Sequence, residues 1–183
     1  MPARPWRLLI PDAVAPHVTA IRAGALLARG IRGLIVDLDN TLTLWNDTRC
    51  APEVEAWLQD LQAAGIGVCV VSNNGPERVS AFCRARPHEL PWIAHAGKPG
   101  RRAYRRAVER LGVPAEAVAV VGDQVFTDVF GGKRAGLWTI LVRPLGRREF
   151  PATRAVRLVE GLWLWRLRGT GALRPLCGGG ADP

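Results

Sequence analysis

Lysine is almost missing from this chain. Lys98 and Lys133 are the two that occur, and arginine supplies the rest of the 25 basic residues. Against that bias, each retained lysine marks a position worth explaining, because a compact ammonium and a planar guanidinium do different work. Cysteine is sparse too. Cys50, Cys69, Cys83 and Cys177 form no C-x-x-C pair and no metal-ligand spacing, which argues against a thiolate metal site. With no sign of secretion, a disulfide framework is not expected either. No stretch reaches the ~18 consecutive apolar residues of a membrane-spanning helix. No long apolar run follows the first arginines, so no signal peptide is expected and the cytoplasm is the expected compartment. Internal repeats are absent.

What is present suits one folded domain. The chain has 183 residues, enough for a sizeable core and too few for a second comparable one. Hydrophobic residues make up 48%, which excludes a disordered chain. The net charge of +9 favours anionic partners, namely phosphates, nucleic acid or acidic lipid. A solubilising arginine-rich surface would give the same balance.

Short apolar runs alternate with helical patterns. Residues 33–37 (GLIVD), 68–72 (VCVVS), 91–94, 117–122 (AVAVVG) and 138–142 read as strands. Helices are expected from Pro52 to Gly65, from Pro76, from Pro99 to Gly112, and after Gly122 as far as Ala135. Proline at three helix starts and glycine at two ends is the asymmetry that helix termini favour. Continuous apolar strands between helices imply a parallel sheet covered on both faces, with ligands at the carboxyl ends of its strands. Outside this region, residues 16–28 and 154–168 read as helices, and the glycines at 178–180 as a disordered tail.

Polar groups fall where the strands stop. The first strand ends in Asp37 and Asp39, two carboxylates at i and i+2, followed by Asn40 and Thr41. Carboxylate and carbonyl oxygens suit Mg²⁺, and a carboxylate can attack phosphorus. The second strand ends in Ser72, Asn73 and Asn74 before a helix start, where backbone N–H groups favour an anion. Lys98 precedes another helix start, where a cation is unfavourable unless an anion lies nearby. The fourth ends in GDQVFTD, bringing Asp123 and Asp128. Each cluster alone has an ordinary reading as a turn or helix cap. Together they place an acid pair, a hydroxyl, a lysine and a second acid pair at one edge of a sheet, which points to a site.

These segments resemble a known superfamily. DLDNT at 37–41, VSNN at 71–74, KP at 98–99 and GDQVFTD at 122–128 are similar to the four motifs of haloacid-dehalogenase (HAD) phosphatases. GIRGLIVDLDNTL, AGKP and GDQVFTDVFGGKRAGLWTILV bring the chain closer to the YqeG-type HAD phosphatases, relatives of mitochondrial phosphatidylglycerophosphate phosphatase, over roughly residues 11–160. The resemblance implies a Rossmann-like α/β fold with a central parallel sheet flanked by helices. It implies Asp37 as nucleophile, Asp39 as general acid and then base, and Lys98 as the neutralising cation. Asn40, Thr41, Ser72, Asn73 and Lys98 would surround the phosphate. Mg²⁺ would be held by Asp37, Asp39 through its carbonyl, Asp123 and Asp128.

The spans from Asp39 to Ser72 and from Ser72 to Lys98 hold no more than a turn, one helix and one strand each, so no cap domain is expected. Residues 1–160 are expected to form a single capless domain and 161–183 a partly disordered extension. An open site needs a substrate held by a large surface. The expectation is phosphatidylglycerophosphate at the inner face of an acidic membrane, docked through Leu162, Trp163, Leu164 and Trp165 with Arg154, Arg157, Arg166 and Arg168. The alternatives are a phosphatase for phosphoproteins, nucleic-acid ends or soluble esters, and a non-catalytic nucleic-acid-binding protein, which the intact acid set disfavours.

Overall fold

The computed structural model describes residues 5–45, 47, 49–85, 89–146 and 151–176. Six strands form one parallel sheet: β1 (Ala13–Ala15), β2 (Gly33–Val36), β3 (Gly67–Val71), β4 (Trp92–Ile93), β5 (Val118–Gly122) and β6 (Trp138–Val142), in the order β1-β6-β5-β2-β3-β4. Every residue of β2 is buried, as its unbroken apolar run requires at the middle of a covered sheet. Its side chains alternate between two cores. Leu34 and Val36 face one, with Trp57, Leu58 and Leu61 of α2 (Pro52–Ala63) and Val79 and Phe82 of α3 (Pro76–Arg84). Ile35 faces the other, with Ala103, Tyr104 and Ala107 of α4 (Arg101–Leu111).

Helix ends follow the sequence signals. Pro52 and Pro76 open α2 and α3, and α4 stops at Gly112 in the left-handed conformation (φ +66°). The α4 helix starts at Arg101 rather than Pro99. After β5 comes a π-helical turn, Val125–Val129, which runs into a short helix, Phe130–Arg134.

The N-terminal flank departs from expectation. Residues 16–28 do not form one helix. A 3-10 turn, Val18–Ala20, and a five-residue helix, Ala23–Leu27, are separated by extended backbone at Ile21 and Arg22. Val18, Thr19 and Ile21 are β-branched, which weakens a helix there. The break frees the carbonyl of Ile21, which accepts the indole N–H of Trp57 at 2.8 Å. The short strand β1 was not read from the sequence; three small residues between prolines carry too little pattern.

The C-terminal helix, Pro151–Arg168, presents an inward face. Trp163 and Leu164 pack on Val125, Val129 and Leu141, and Leu167 is buried. The chain then pairs with β1: Val14 donates to the carbonyl of Arg174 and receives the N–H of Leu176, whose side chain joins the main core. The tail glycines lie outside the described residues, as do the side chains of Arg154 and Arg157.

Candidate active site

The sheet register gathers the polar clusters. Val36 pairs with Val70 on one side and Val121 on the other, so Asp37, Ser72 and Asp123 leave neighbouring strands at the same edge. This is where the chain order reverses, with β3 to one side of β2 and β5 to the other, the usual crevice for ligands in such sheets.

Asp37, Asp123 and Asp128 are all buried, and each offers a carboxylate oxygen within 4.8 Å of the others. Lys98 lies among them. Its Nζ donates to Asp37 Oδ1 at 2.5 Å and to Asp128 Oδ1 at 2.8 Å. Burial works against the Lys98 charge, but Asp128 and Asp37 more than offset it and hold the ammonium well above the usual lysine range. Burial raises Asp37; Lys98 pulls it down, and the like charges of Asp128 and Asp123 push it up again, to about 8. Fully ionised, the three buried carboxylates would outnumber the one ammonium, which is why a proton is retained on Asp37 without a metal, and an all-oxygen donor set at this spacing fits a hard divalent cation.

Local structure fixes each group. The π-helical turn brings Asp128 back under β5, where its Oδ2 accepts the N–H of Gln124 at 3.2 Å. A Cβ at Gly122 would overlap this carboxyl group, so only glycine fits there. Thr41 donates to Asp123 Oδ1 at 3.2 Å, on a turn where Asn40 takes φ +56°. Asn73 holds the main chain of Lys98 at both ends of its amide: Oδ1 accepts the Lys98 N–H at 2.8 Å, and Nδ2 donates to the Lys98 carbonyl at 3.3 Å. Ser72 Oγ accepts the N–H of Asn74 at 3.1 Å.

Asp39 stands apart from the three buried acids. Its Oδ2 accepts from Asn74 Nδ2, and its Oδ1 accepts both Nε and Nη2 of Arg78, with the Nε contact at 3.2 Å. Arg78 also donates to the carbonyl of Leu44 at 3.2 Å. Arg78 was not singled out from the sequence. A signal existed: it sits in the first turn of α3, where a cation is unfavourable, the same argument that marked Lys98.

Above these groups opens a cavity of about 600 Å³. Asp37, Asp39, Asn40, Ser72, Asn73 and Lys98 lie in its polar part, and Trp45, Phe126, Phe130 and Val156 form an apolar wall. Thr41, Asp123 and Asp128 are buried and do not line it. The aromatic wall was also missed, since Trp45 lies on a turn, Phe126 in the π-helical turn and Phe130 at the start of a five-residue helix, all too short to carry a periodic pattern.

The fold and this acidic, lysine-bridged strand edge define a phosphoryl-handling α/β hydrolase. Residues 44–136 match the haloacid dehalogenase-like hydrolase family, and residues 4–82 match the mitochondrial PGP phosphatase family. The chain is 36% identical to the probable phosphatase YqeG of Bacillus subtilis over 92% of its length and 96% of that protein's. It is 30% identical to the chloroplastic phosphatidylglycerophosphate phosphatase 1 of Chlamydomonas reinhardtii, over 92% of this chain but 65% of that longer protein. The fold matches an uncharacterized protein of Listeria monocytogenes serotype 4b with a TM-score of 0.52 at 16% identity, covering 75% of this chain and 99% of the other. The chain therefore belongs to the haloacid dehalogenase-like hydrolases, in the branch of the YqeG-type phosphatases. It is an enzyme, a phosphoric monoester hydrolase.

Proposed function

We propose that the enzyme removes the terminal phosphate of phosphatidylglycerophosphate at an acidic membrane surface, through a phosphorylated Asp37. The observation that carries the chemistry is the buried cluster of Asp37, Asp123 and Asp128 bridged by Lys98 under an open cavity. A carboxylate oxygen of Asp37 forms a bond to phosphorus as the ester P–O bond breaks. Asp39, on the cavity wall, gives its proton to the departing alkoxide. It then takes a proton from the water that attacks the aspartyl phosphate, releasing inorganic phosphate and restoring Asp37. Lys98 offsets charge on Asp37 and on the transferring group, while Ser72, Asn40 and Thr41 border the phosphate and Asn73 fixes Lys98. Mg²⁺ held by Asp37, Asp123, Asp128 and the Asp39 carbonyl would neutralise the remaining charge.

The lipid reading rests on three supports. Among the described residues the intervals between motifs carry no cap, so something other than the enzyme must hold the substrate. The cavity wall is aromatic and apolar. The C-terminal helix exposes Leu158, Val159, Leu162 and Trp165 beside Arg166 and Arg168, a combination that favours the headgroup region. Trp163 and Leu164 turn inward and take no part. No helix among the described residues is long and apolar enough to cross a membrane. The contact proposed is a peripheral one at the cytoplasmic face, made by this exposed helix surface. The matches to phosphatidylglycerophosphate phosphatases point the same way. The test is hydrolysis of phosphatidylglycerophosphate in acidic vesicles beside a soluble nucleotide, with vesicle binding measured as salt is raised. Faster lipid turnover with salt-sensitive binding is expected. Equal or faster nucleotide turnover without vesicle binding overturns the lipid reading.

A further inference from the structure

We infer that Arg78 determines specificity by recognising a second anionic group, carried on the leaving alcohol of the substrate a few bonds from the scissile phosphate. The inference rests on Asp39 being the proton donor of the reaction proposed above. A proton donor to the leaving oxygen stands on the leaving-group side of phosphorus. Arg78 does not itself line the cavity, but it is bound to that donor and to the carbonyl preceding Trp45, and both Asp39 and Trp45 do line it, so Arg78 borders the side on which the leaving alcohol departs. Its Nε and Nη2 hold Asp39 Oδ1.

The setting of Arg78 suits exchange of one anion for another. Its side chain and that of Asp39 are 16% and 19% exposed, neither sealed in the core like Lys98 nor free in water. Its Nη1 makes no hydrogen bond among the described residues, so the guanidinium keeps donors in reserve while its other edge holds Asp39 and the Leu44 carbonyl. A planar fork of this kind matches a phosphodiester or a carboxylate in bidentate fashion. Leu44 precedes Trp45, which lines the cavity, so Arg78 ties the acid to the loop bearing the apolar wall. An incoming anion that takes over part of the fork would loosen Asp39 from Arg78 as it binds. Asp39 would then be available to the leaving oxygen when the correct substrate is seated. A monophosphate lacking the second anion would meet Asp39 still held.

The chemistry fits a lipid headgroup with a phosphodiester next to its terminal phosphate, and equally a soluble ester with two such groups. Two soluble probes separate recognition of the anion from membrane docking: glycerol 3-phosphate, and the same molecule bearing a methyl phosphodiester on its other terminal hydroxyl. The wild-type enzyme is expected to prefer the second probe by at least about tenfold in kcat/KM, the size of one charge-assisted hydrogen bond. In Arg78→Ala the ratio should fall close to one, and in Arg78→Lys it should be intermediate. If Arg78→Ala fails to fold, Arg78→Gln supplies the same ratio. An absent preference in the wild type overturns the inference. So does an equal loss on both probes with the ratio kept, because that is what a merely structural tie to Asp39 would produce. A third arm uses phosphatidylglycerophosphate in acidic vesicles. Slow lipid turnover with the probe ratio behaving as expected removes the lipid reading and leaves Arg78 as assigned. Fast lipid turnover unchanged by Arg78→Ala does the reverse.

Discussion

Gly122 lies against the carboxyl group of Asp128, and any side chain at 122 would occupy the same space. Asp128 in turn bonds Lys98, and Lys98 bonds Asp37. A backbone position without a side chain thus sets the spacing of three charged ones. Gly122→Ala is expected to displace Asp128, cost about 1–3 kcal/mol of stability by overpacking, and lower activity by more than the stability loss explains. Thermal melts beside Mg²⁺ titration check it; an unchanged metal affinity would sever Asp128 from the metal site.

Asp37→Asn is expected to leave a folded protein with activity reduced by ~10³-fold or more, as for other lost nucleophiles. The amide keeps the shape but cannot attack phosphorus. Incubation with substrate followed by acid quench and mass measurement should detect a phosphoryl adduct in the wild type and none in the variant. Near wild-type turnover in the variant would remove the covalent route.

Asp39→Asn is expected to slow turnover by about 10²–10⁴-fold, the usual worth of general acid–base catalysis. The loss should be smaller for an ester with a good leaving group, which needs little protonation. Because the second half-reaction also needs Asp39, some phosphorylated enzyme should accumulate. Kinetics identical to wild type on both kinds of ester would take Asp39 out of the mechanism.

Chelation should silence the enzyme and Mg²⁺ should restore it. A pH signature accompanies this. Asp37 is raised from the ordinary 3.8 to about 8 in the folded protein. Across that window the native state binds more protons than the unfolded one, so the metal-free protein loses stability as pH rises from about 4 to 8. Lys98 is raised above its usual value, so its contribution is fully present below about 10.5 and adds no slope in this window. A divalent cation competes with the proton on Asp37, and its stabilising effect should therefore grow with pH. Melting temperatures with EDTA and with Mg²⁺, from about pH 5 to 8, check both statements; parallel curves would count against a metal on Asp37.

Much of this was legible in the sequence because it rests on local pattern. The central strands announced themselves as apolar runs, and the polar clusters as breaks at their ends, so the fold and the meeting of Asp37, Ser72, Lys98 and Asp123 followed from one rule about parallel sheets. What was not legible depends on contacts between distant segments. The Asp39–Arg78 pair joins residues 39 apart on a turn and a helix. The role of Asn73 as a clamp on the Lys98 backbone required knowing that residues 25 apart lie side by side. The break at Ile21 is stabilised by Trp57, 36 residues on, which no local propensity reports.

The buried carboxylate of Glu160, on the C-terminal helix, accepts the backbone N–H of Phe126 at 2.8 Å. Phe126 belongs to the π-helical turn that carries Asp128, so a helix late in the chain props the catalytic edge from behind. Shortening the protein at residue 160 would keep this carboxylate yet remove Trp163, Leu164 and Leu167, the side chains that seat its helix. The prop would then have no footing, and a boundary drawn where the motif-bearing segment ends would cut through the scaffold of the site.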